Sequence, residues 1–461
     1  MTRRSVRALG GALASALVLA AAGGGTAMAQ DSAVVPQPMP TGFDFPTPGY
    51  VIEQWVDAGD TAEIRNHGWM IWTAMSQSSG QTYQGQDLPV WDTWASTAEV
   101  FPSNQEVAAV AKAAGESGTR VLRPFHRPVQ IAHSRALAGT ADAAEDADQA
   151  LSFNKFDPTA AAFIGTDQRL PDGSGTTPID TQAGLTAFND AWPAGTSVGA
   201  RAIGDFPETG IELKPVFYLV KQDQATTVPY WQGAAASSRS HNPTPETWNT
   251  CVLIDPTAAA GTPMATATQA QIDGAAINQG FHCRFTQDYL YAPLSMMYAV
   301  PLDQAGVDAF NSQQSESGIT AEVGDHAVLV AMHVNTKEQD TWTWQTFYWQ
   351  GTSEFEAQSP GDLAGQPDAL AAPWNSYAMC TAYSQTDAQG QMNVCFNPFL
   401  ETSPGIPDGL NSNCVTCHGM AQVGPNANYP ANYDDPIRFD DPSLFGGGTK
   451  TDFSWAVAGS D

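Results

Sequence analysis

Positive charge is scarce in this chain. Its 461 residues include 19 lysines and arginines against 48 aspartates and glutamates, which gives a formal net charge of −29 at pH 7. A surface with this balance repels the phosphates of nucleic acids and the head groups of anionic lipids. We therefore expect no nucleic-acid partner. The acidity favours cationic partners, or it serves only to keep an exported protein soluble.

Long apolar runs are also lacking. The run at 12–22 (ALASALVLAAA) is shorter than the roughly 20 residues that span a bilayer. Arg3, Arg4 and Arg7 precede it and three small residues (AMA) follow, which is the pattern of a signal peptide. We predict a signal peptide over residues 1–29, cleaved near Ala29, and a periplasmic mature protein with no membrane span. The paired arginines leave general (Sec) and twin-arginine (Tat) export open.

Cysteine is absent from the first 250 residues, and all six cysteines lie beyond that point. An exported chain meets oxidising conditions, so we expect pairing. If the two cysteines within 414–417 are engaged otherwise, proximity favours structural bridges that join Cys251 to Cys283 and Cys380 to Cys395. Four cysteines allow three pairings, so the sequence leaves the connectivity open.

Several enzyme signatures are missing as well. The chain has no G-x-S-x-G nucleophile elbow, no H-E-x-x-H zinc motif, no phosphate-binding P-loop and no dinucleotide fingerprint. Acidic residues are scattered, and the sequence alone does not pair them for acid–base chemistry. No catalytic residue is therefore assigned.

The pattern of apolar residues predicts an α+β fold. Helical spacing indicates helices at 61–77 and 104–116. Runs of β-branched and aromatic residues typical of strands lie at 211–221, 250–255, 326–337 and 341–350. The last two should form a hairpin. We expect a mainly antiparallel β core, flanking helices and an irregular C-terminal segment packed on that core.

One short motif carries most of the functional argument. Residues 411–421 read NSNCVTCHGMA, so Cys414 and Cys417 are three positions apart and His418 follows directly. In C-x-x-C-H, each thiol adds to a haem vinyl group and the histidine binds the iron on its proximal side. Chance would produce such a motif in about one per thousand chains of this composition.

The alternatives for this motif lack support in the surrounding sequence. A thioredoxin-like thiol pair would require a βαβ context, and a zinc site would require further ligands nearby. We therefore predict one covalent haem c, with one of residues 411–413 as the N-cap of the helical turn. The predicted units are a helix-containing region (30–199), a β-rich domain (200–372) and a c-type haem segment (373–461).

The motif resembles that of the c-type cytochromes. More loosely, residues 65–75 (RNHGWMIWTAM), 326–349 and 452–457 (DFSWAV) are similar to a group of exported bacterial single-haem proteins without an assigned activity. The resemblance implies thioether bonds at Cys414 and Cys417, and iron ligation by His418.

The position of the motif differs from that in small cytochromes. Few residues follow His418, they include no histidine, and the one methionine, Met420, is too close in sequence to reach the opposite side of the iron. The iron is therefore either five-coordinate or bound by a residue far upstream. We also expect the tail to share its hydrophobic core with the upstream units.

Upstream histidines supply the predicted distal residue. His67 lies in an aromatic helix, and His333 lies on the strand at 326–337. Neighbouring strand residues point to opposite faces, so His333 and Met332 cannot both face one haem. We predict His67 or His333 on the distal side, with Met332 and the pair Met296–Met297 as further alternatives.

Two charged clusters are further candidates for binding. The arginines could bind anions such as haem propionates or could be ion-paired structural residues; they are Arg120, Arg123, Arg127 and Arg135. The aspartates could bind calcium or cap turns; they are Asp434, Asp435, Asp440 and Asp441.

Three functions are compatible with these patterns. The first is one-electron transfer to a redox partner protein or small molecule. The second is a haem enzyme or sensor of the oxidase or peroxidase kind, with an open distal site. The third is a secreted β-rich binding protein with a structural haem. The sequence does not determine the substrate, the redox potential or the oligomeric state.

Overall fold

The fold is known from a computed structural model. It describes residues 33–102, 120–126, 150–238, 243–277, 283, 286, 288–313, 319–352, 360–402, 409–424 and 435–459. The predicted signal peptide, the predicted helix at 104–116, and Arg127, Arg135 and Asp434 lie outside these residues.

Helices in the described residues are mostly short. They are α1 (Gly49–Ala58), α2 (Thr61–Met75), α3 (Thr97–Val100), α4 (Pro158–Ile164), α5 (Gln182–Asp190), α6 (Gln269–Asp273), α7 (Gln304–Gln313), α8 (Cys414–His418), α9 (Pro442–Phe445) and α10 (Trp455–Ala458). Helix α2 is the predicted helix at 61–77. No helix in the described residues is long and apolar enough to cross a membrane.

Strands account for most of the core. They are β1 (Ser78–Tyr83), β2 (Gln86–Pro89), β3 (Ala95–Ser96), β4 (Leu151–Ser152), β5 (Lys155–Phe156), β6 (Gln168–Arg169), β7 (Thr176–Thr177), β8 (Ile211–Val220), β9 (Thr226–Pro229), β10 (Thr250–Asp255), β11 (Ala265–Thr266), β12 (Asp288–Pro293), β13 (Ala299–Pro301), β14 (His326–Thr336), β15 (Thr343–Trp349), β16 (Tyr377–Thr381), β17 (Gln422–Val423) and β18 (Thr449–Lys450).

The largest sheet has eight strands. Its order is β16-β15-β14-β8-β5-β3, with β13 paired to β14 and β4 paired to β8. Every pair in it is antiparallel, and β14 and β15 form the predicted hairpin. The predicted α+β fold with a mainly antiparallel core is therefore confirmed. A second sheet, ordered β11-β12-β10-β9, contains one parallel pair, β10 with β12.

The large sheet extends across the predicted units. Strands β3, β4 and β5 come from the predicted N-terminal region, and β16 comes from the predicted C-terminal segment. The sheet thus crosses the proposed boundaries at 200 and 373, because its edge strands are contributed by both neighbouring regions.

Successive side chains of strand β14 point to opposite faces of this sheet. Residues directly opposite each other in an antiparallel pair share a face. His333 lies opposite Lys214, whereas Met332 lies opposite Phe347. Phe347 stacks on Trp72 of α2 with ring centroids 4.1 Å apart. We call the Met332 side the helix face and the His333 side the tail face.

C-terminal residues cover the tail face. One hydrophobic cluster joins Val415, Val423 and Val457 of the tail to Trp344 on β15 and Phe156 on β5. Removing such side chains from water contributes about 25 cal/mol per Å² of apolar area. The tail therefore packs as part of the body, with a core in common.

Two disulfides join the cysteine pairs that proximity favoured. Cys251 is bonded to Cys283, and Cys380 to Cys395, with Cα atoms 5.9 and 5.8 Å apart. The second bridge ties β16 to the segment that leads into residues 414–418. It therefore holds that segment on the tail face.

The described arginines of the predicted cluster are ion-paired. Arg120 donates to both carboxylate oxygens of Glu99, at 2.6 and 2.7 Å. Arg123 donates to Oδ2 of Asp92 at 2.6 Å, and Nζ of Lys155 lies 3.1 Å from Oδ1 of the same carboxylate. These two arginines thus follow the structural alternative.

Asp92 is the shared, fully buried partner of two cations. Replacing Asp92 by Ala leaves Arg123 and Lys155 buried without it, so we expect a loss of about 3–5 kcal/mol in the free energy of unfolding. Urea denaturation followed by circular dichroism measures this loss. Asp440→Ala, which removes the exposed partner of Arg438, is the control and should leave the midpoint unchanged. Equal midpoints for Asp92→Ala and wild type would contradict this prediction.

Candidate functional site

Helix α8 carries the motif and begins at a firmly held cap. Oδ1 of Asn413 accepts the N–H of Thr416 at 3.0 Å, which satisfies one free donor of the first turn. Nδ2 of Asn413 donates to the carbonyl oxygens of Asn393 and Ser384, at 2.7 and 3.0 Å. The capping residue predicted within 411–413 is thus Asn413, and its amide joins the helix to the preceding loop.

The helical turn separates packing residues from reactive ones. Val415 and Thr416 are buried, whereas Cys414, Cys417 and His418 are half-buried. Both cysteines are free thiols. The three side chains that the motif needs for chemistry are therefore the ones that remain accessible.

The two thiols are protonated at neutral pH. Burial, together with the carboxylate of Glu401, raises the pKa of Cys414 well above its usual value and that of Cys417 to about 12. Reactive redox cysteines require the opposite shift, since the thiolate is the nucleophile. This environment does not favour a thiol-exchange site.

His418 is oriented by a backbone carbonyl. Its Nδ1 donates to the oxygen of Phe453 at 2.9 Å, which assigns the proton to Nδ1 and leaves the lone pair on Nε2. The indole of Trp344 lies against the imidazole, with centroids 4.1 Å apart. Burial lowers the pKa of His418 to about 3, so the ring is neutral at physiological pH.

The loop that presents this carbonyl is strained. Asp452 and Phe453 have φ of 47° and 68°, in the left-handed region that non-glycine residues rarely adopt. Asp452 is held on both oxygens: Oδ1 accepts from Nζ of Lys337 at 2.7 Å and Oδ2 accepts the N–H of Phe206 at 2.8 Å. Contacts to the body therefore set the position of the Phe453 oxygen.

Ionisable side chains gather on the tail face beside His418. Nε2 of His333 lies 3.2 Å from Oε1 of Glu401, and Oε2 of Glu401 accepts the N–H of Asn397 at 2.6 Å. Burial lowers the pKa of Lys214 to about 8, and Glu401 opposes that shift. The charges of His333 and Lys214 also help to lower the pKa of His418, as expected for groups on the same face of the sheet. A group of ionisable residues in such a place is a mark of a functional site.

The two predicted distal histidines lie on different faces. His333 shares the tail face with Lys214 and lies near His418, whereas His67 is on α2 and belongs to the helix face. His67 is buried, with Nδ1 2.6 Å from the hydroxyl of Tyr383 and Nε2 3.2 Å from Oε1 of Glu338. The structure therefore brings His333 to the motif and does not bring His67.

The methionine candidates lie in packed surroundings. Met332 points to the helix face and is fully buried, and Met297 belongs to the same large core. Met420 packs with Phe445. These contacts indicate that the three methionines pack in the hydrophobic core.

Sequence reasoning missed Lys214 and Glu401. Lys214 lies in a mostly apolar strand (IELKPVFYLV) in which Glu212 is the other charged residue, and a lysine in such a strand could have been noticed. Glu401 has no comparable signal, because its role depends on how the 395–402 loop folds over β14 and β15.

The aspartates near the C-terminus cap a helix and pair locally. Oδ1 of Asp441 accepts the N–H of Ser443 at 2.8 Å at the start of α9, and Asp440 pairs with Arg438. Among the described residues, no three His, Cys, Asp or Glu side chains form a group that could hold a bare metal ion.

No family model, no curated protein and no solved structure matches this chain. The functional argument therefore depends on the residues themselves.

The raised pKa values of the thiols predict slow alkylation. In protein made without haem attachment, we expect iodoacetamide at pH 8 to modify Cys414 and Cys417 much more slowly than in urea, because the thiolate fraction is small. Peptide mass spectrometry measures the modification of each residue. Modification of the native protein as fast as that of the unfolded chain would restore the thiol-exchange interpretation.

Proposed function

We propose that the protein is an exported c-type cytochrome that carries one haem c on Cys414 and Cys417, with His418 on the iron, and transfers one electron at a time. The main observation is the hydrogen bond from Nδ1 of His418 to the oxygen of Phe453. It leaves Nε2 as the only ring nitrogen able to bind iron. Histidines that ligate metals usually donate their other N–H in this way.

The residues around the motif fit a thioether-bound haem. The two thiols are unpaired and half-buried on one helical turn, as attachment to two vinyl groups requires. Nε1 of Trp455 donates to the carbonyl of Cys417 at 3.2 Å and closes the end of that turn. The bound group would supply a one-electron couple, and Trp344, Phe453 and Trp455 would fix the orientation of its proximal ligand.

Export and partner choice follow from the charge and the disulfides. Two disulfides are compatible with an oxidising compartment, and the N-terminal pattern of charge and apolar residues is that of a signal peptide. The excess of acidic residues favours a cationic redox protein or a small molecule as the partner. We place the protein in the periplasm on these grounds.

A haem enzyme is the second candidate, and the pair of His333 with Glu401 favours it. Nε2 of His333 lies 3.2 Å from Oε1 of Glu401. A hydrogen-bonded imidazole and carboxylate can deliver and remove protons next to a bound substrate. Such a site would leave the distal side open to a hydroperoxide, oxygen or another small molecule.

Covalent attachment is tested by co-expression with a haem-maturation system. We expect a pyridine haemochrome spectrum for one haem per chain, and haem that stays on the polypeptide under denaturing conditions. Cys414→Ser or Cys417→Ser should each remove one thioether and shift that spectrum, and the double variant should lose covalent haem. His326→Gln, elsewhere on β14, is the control and should keep the haem. A purified chain at its bare polypeptide mass would contradict the proposal.

The distal side is tested by substituting the two histidines. We expect His333→Ala to change the ferric absorbance spectrum or its response to cyanide, because His333 lies on the tail face near His418. His67→Ala should leave both unchanged, because His67 lies across the sheet. A low-spin spectrum insensitive to cyanide supports the electron carrier, and a high-spin spectrum that cyanide converts supports the enzyme. An effect of His67→Ala alone would show that the placement of the haem on the tail face is wrong.

A further inference from the structure

A buried row of polar side chains lies on the helix face, across the sheet from His418. The hydroxyl of Tyr383 is 2.6 Å from Nδ1 of His67, and Nε2 of His67 is 3.2 Å from Oε1 of Glu338. Tyr383, His67 and Glu338 are 2, 4 and 2 % exposed. The three groups form a continuous row that is closed off from water.

One tautomer of His67 gives each proton in this row a direction. Nε2 of Gln345 donates to the hydroxyl oxygen of Tyr383 at 2.7 Å, and the same hydroxyl is also bonded to the side chain of Thr343. In the tautomer of His67 that carries its proton on Nε2, Nδ1 accepts the phenolic proton of Tyr383. His67 then carries its own proton on Nε2 and donates it to Glu338. Oε1 of Glu338 also accepts the N–H of Thr47 at 2.6 Å. The phenol thus faces a base, and a carboxylate lies behind that base.

Three other buried tyrosines lack this arrangement. The hydroxyl of Tyr298 donates to the carboxylate of Asp92 at 2.9 Å, with no imidazole between them. The hydroxyl of Tyr377 donates to the carbonyl of Leu329 at 2.8 Å, and that of Tyr348 donates to the carbonyl of Gly361 at 3.1 Å. A peptide carbonyl satisfies a hydroxyl group but does not take its proton, whereas an imidazole does. The carboxylate that Tyr298 faces is a weak base, because Arg123 and Lys155 lower the pKa of Asp92 to about 2. Of these four tyrosines, Tyr383 is therefore the one bonded to an imidazole.

Contacts through the sheet connect this row to the motif. The indole of Trp344 lies 4.1 Å from the imidazole of His418 on the tail face. The carbonyl oxygen of Trp344 accepts the N–H of Ala382, the residue before Tyr383, at 2.9 Å. Gln345, the residue after Trp344, bonds the phenol itself. The backbone at Trp344 and Gln345 therefore links His418 on the tail face to Tyr383 on the helix face.

We propose that Tyr383 is a redox-active tyrosine that gives one electron through Trp344 to the haem side of the sheet while its phenolic proton moves to Nδ1 of His67. The proposal rests on the covalent haem and on the second proposed function, in which the haem reacts with a hydroperoxide. Loss of the proton is required because an oxidised phenol is a strong acid, and His67 is the base in contact with this buried hydroxyl.

The step balances with a hydroperoxide as the oxidant. Cleavage of its O–O bond consumes two electrons, and it also consumes two protons, which come from solvent. The products are one alcohol and one water, or two waters if the oxidant is hydrogen peroxide. Tyr383 would supply one of these electrons, and a haem bound at Cys414, Cys417 and His418 would supply the other. The O–H bond of Tyr383 breaks, an N–H bond forms on His67, and the imidazolium is stabilised by the carboxylate of Glu338. A neutral tyrosyl radical remains in a dry core.

Freeze-quenched electron paramagnetic resonance tests the proposal. Haem-loaded protein mixed with hydrogen peroxide should give a tyrosyl signal that forms more slowly in D₂O. Tyr383→Phe should abolish it, and His67→Gln should lower its yield by about tenfold because the base is lost. Tyr377→Phe, which removes the hydroxyl of another buried tyrosine, is the matched control and should keep the signal.

Haem content and the Soret change with peroxide are measured in the same samples. Protein without covalent haem contradicts the proposed function itself. With haem present, the relay is overturned if the Soret band does not respond, if no tyrosyl signal forms, or if the signal survives in Tyr383→Phe. If His67→Gln does not fold, Tyr383→Phe and the isotope effect decide the question by themselves.

Discussion

The fold depends on a hairpin, β14–β15, that is buried on both faces. Each strand alternates its side chains, so one position faces α2 and the next faces the C-terminal tail. The aromatic contacts of Phe347 with α2 hold one layer, and those of Trp344 with the tail hold the other. Because the two layers share these strands, a shift of one residue in register would exchange their environments.

This arrangement places two polar sites back to back. On the tail face, His333, Lys214 and Glu401 lie near His418; on the helix face, His67 lies between Tyr383 and Glu338. Polar groups in such places cost free energy unless they are paired, and each face supplies partners for them. The backbone of Trp344 lies between the two sites. The sheet therefore keeps the sites on opposite faces, while the contacts of Trp344 and its neighbour Gln345 link one site to the other.

The C-terminal segments on both sides of residues 414–418 are fixed to the rest of the protein. The disulfide between Cys380 and Cys395 anchors the segment before the motif, and the bonds of Asp452 anchor the loop after it. The strained backbone at Phe453 is maintained because Lys337 and Phe206 hold the preceding carboxylate. The orientation of the His418 imidazole therefore depends on residues elsewhere in the protein as well as on the motif itself.

Local features could be predicted from sequence because their causes are local. The hairpin follows from two adjacent β-rich runs, the bridges follow from cysteines close in the chain, and the cap at Asn413 follows from its place before α8. The distal side could not be decided this way. His67 and His333 are both histidines in apolar runs, and only strand register and the packing of α2 place them on opposite faces.

The sequence by itself determined the chemistry that the C-terminal motif offers, since the spacing of Cys414, Cys417 and His418 lies within one helical turn. Only the tertiary structure decided which distant groups meet that motif. Glu401, Lys214 and the Phe453 carbonyl reach it through long-range packing, and Tyr383 meets His67 from 316 positions away. Such contacts depend on how strands pair and layers stack, which no local pattern of residues specifies.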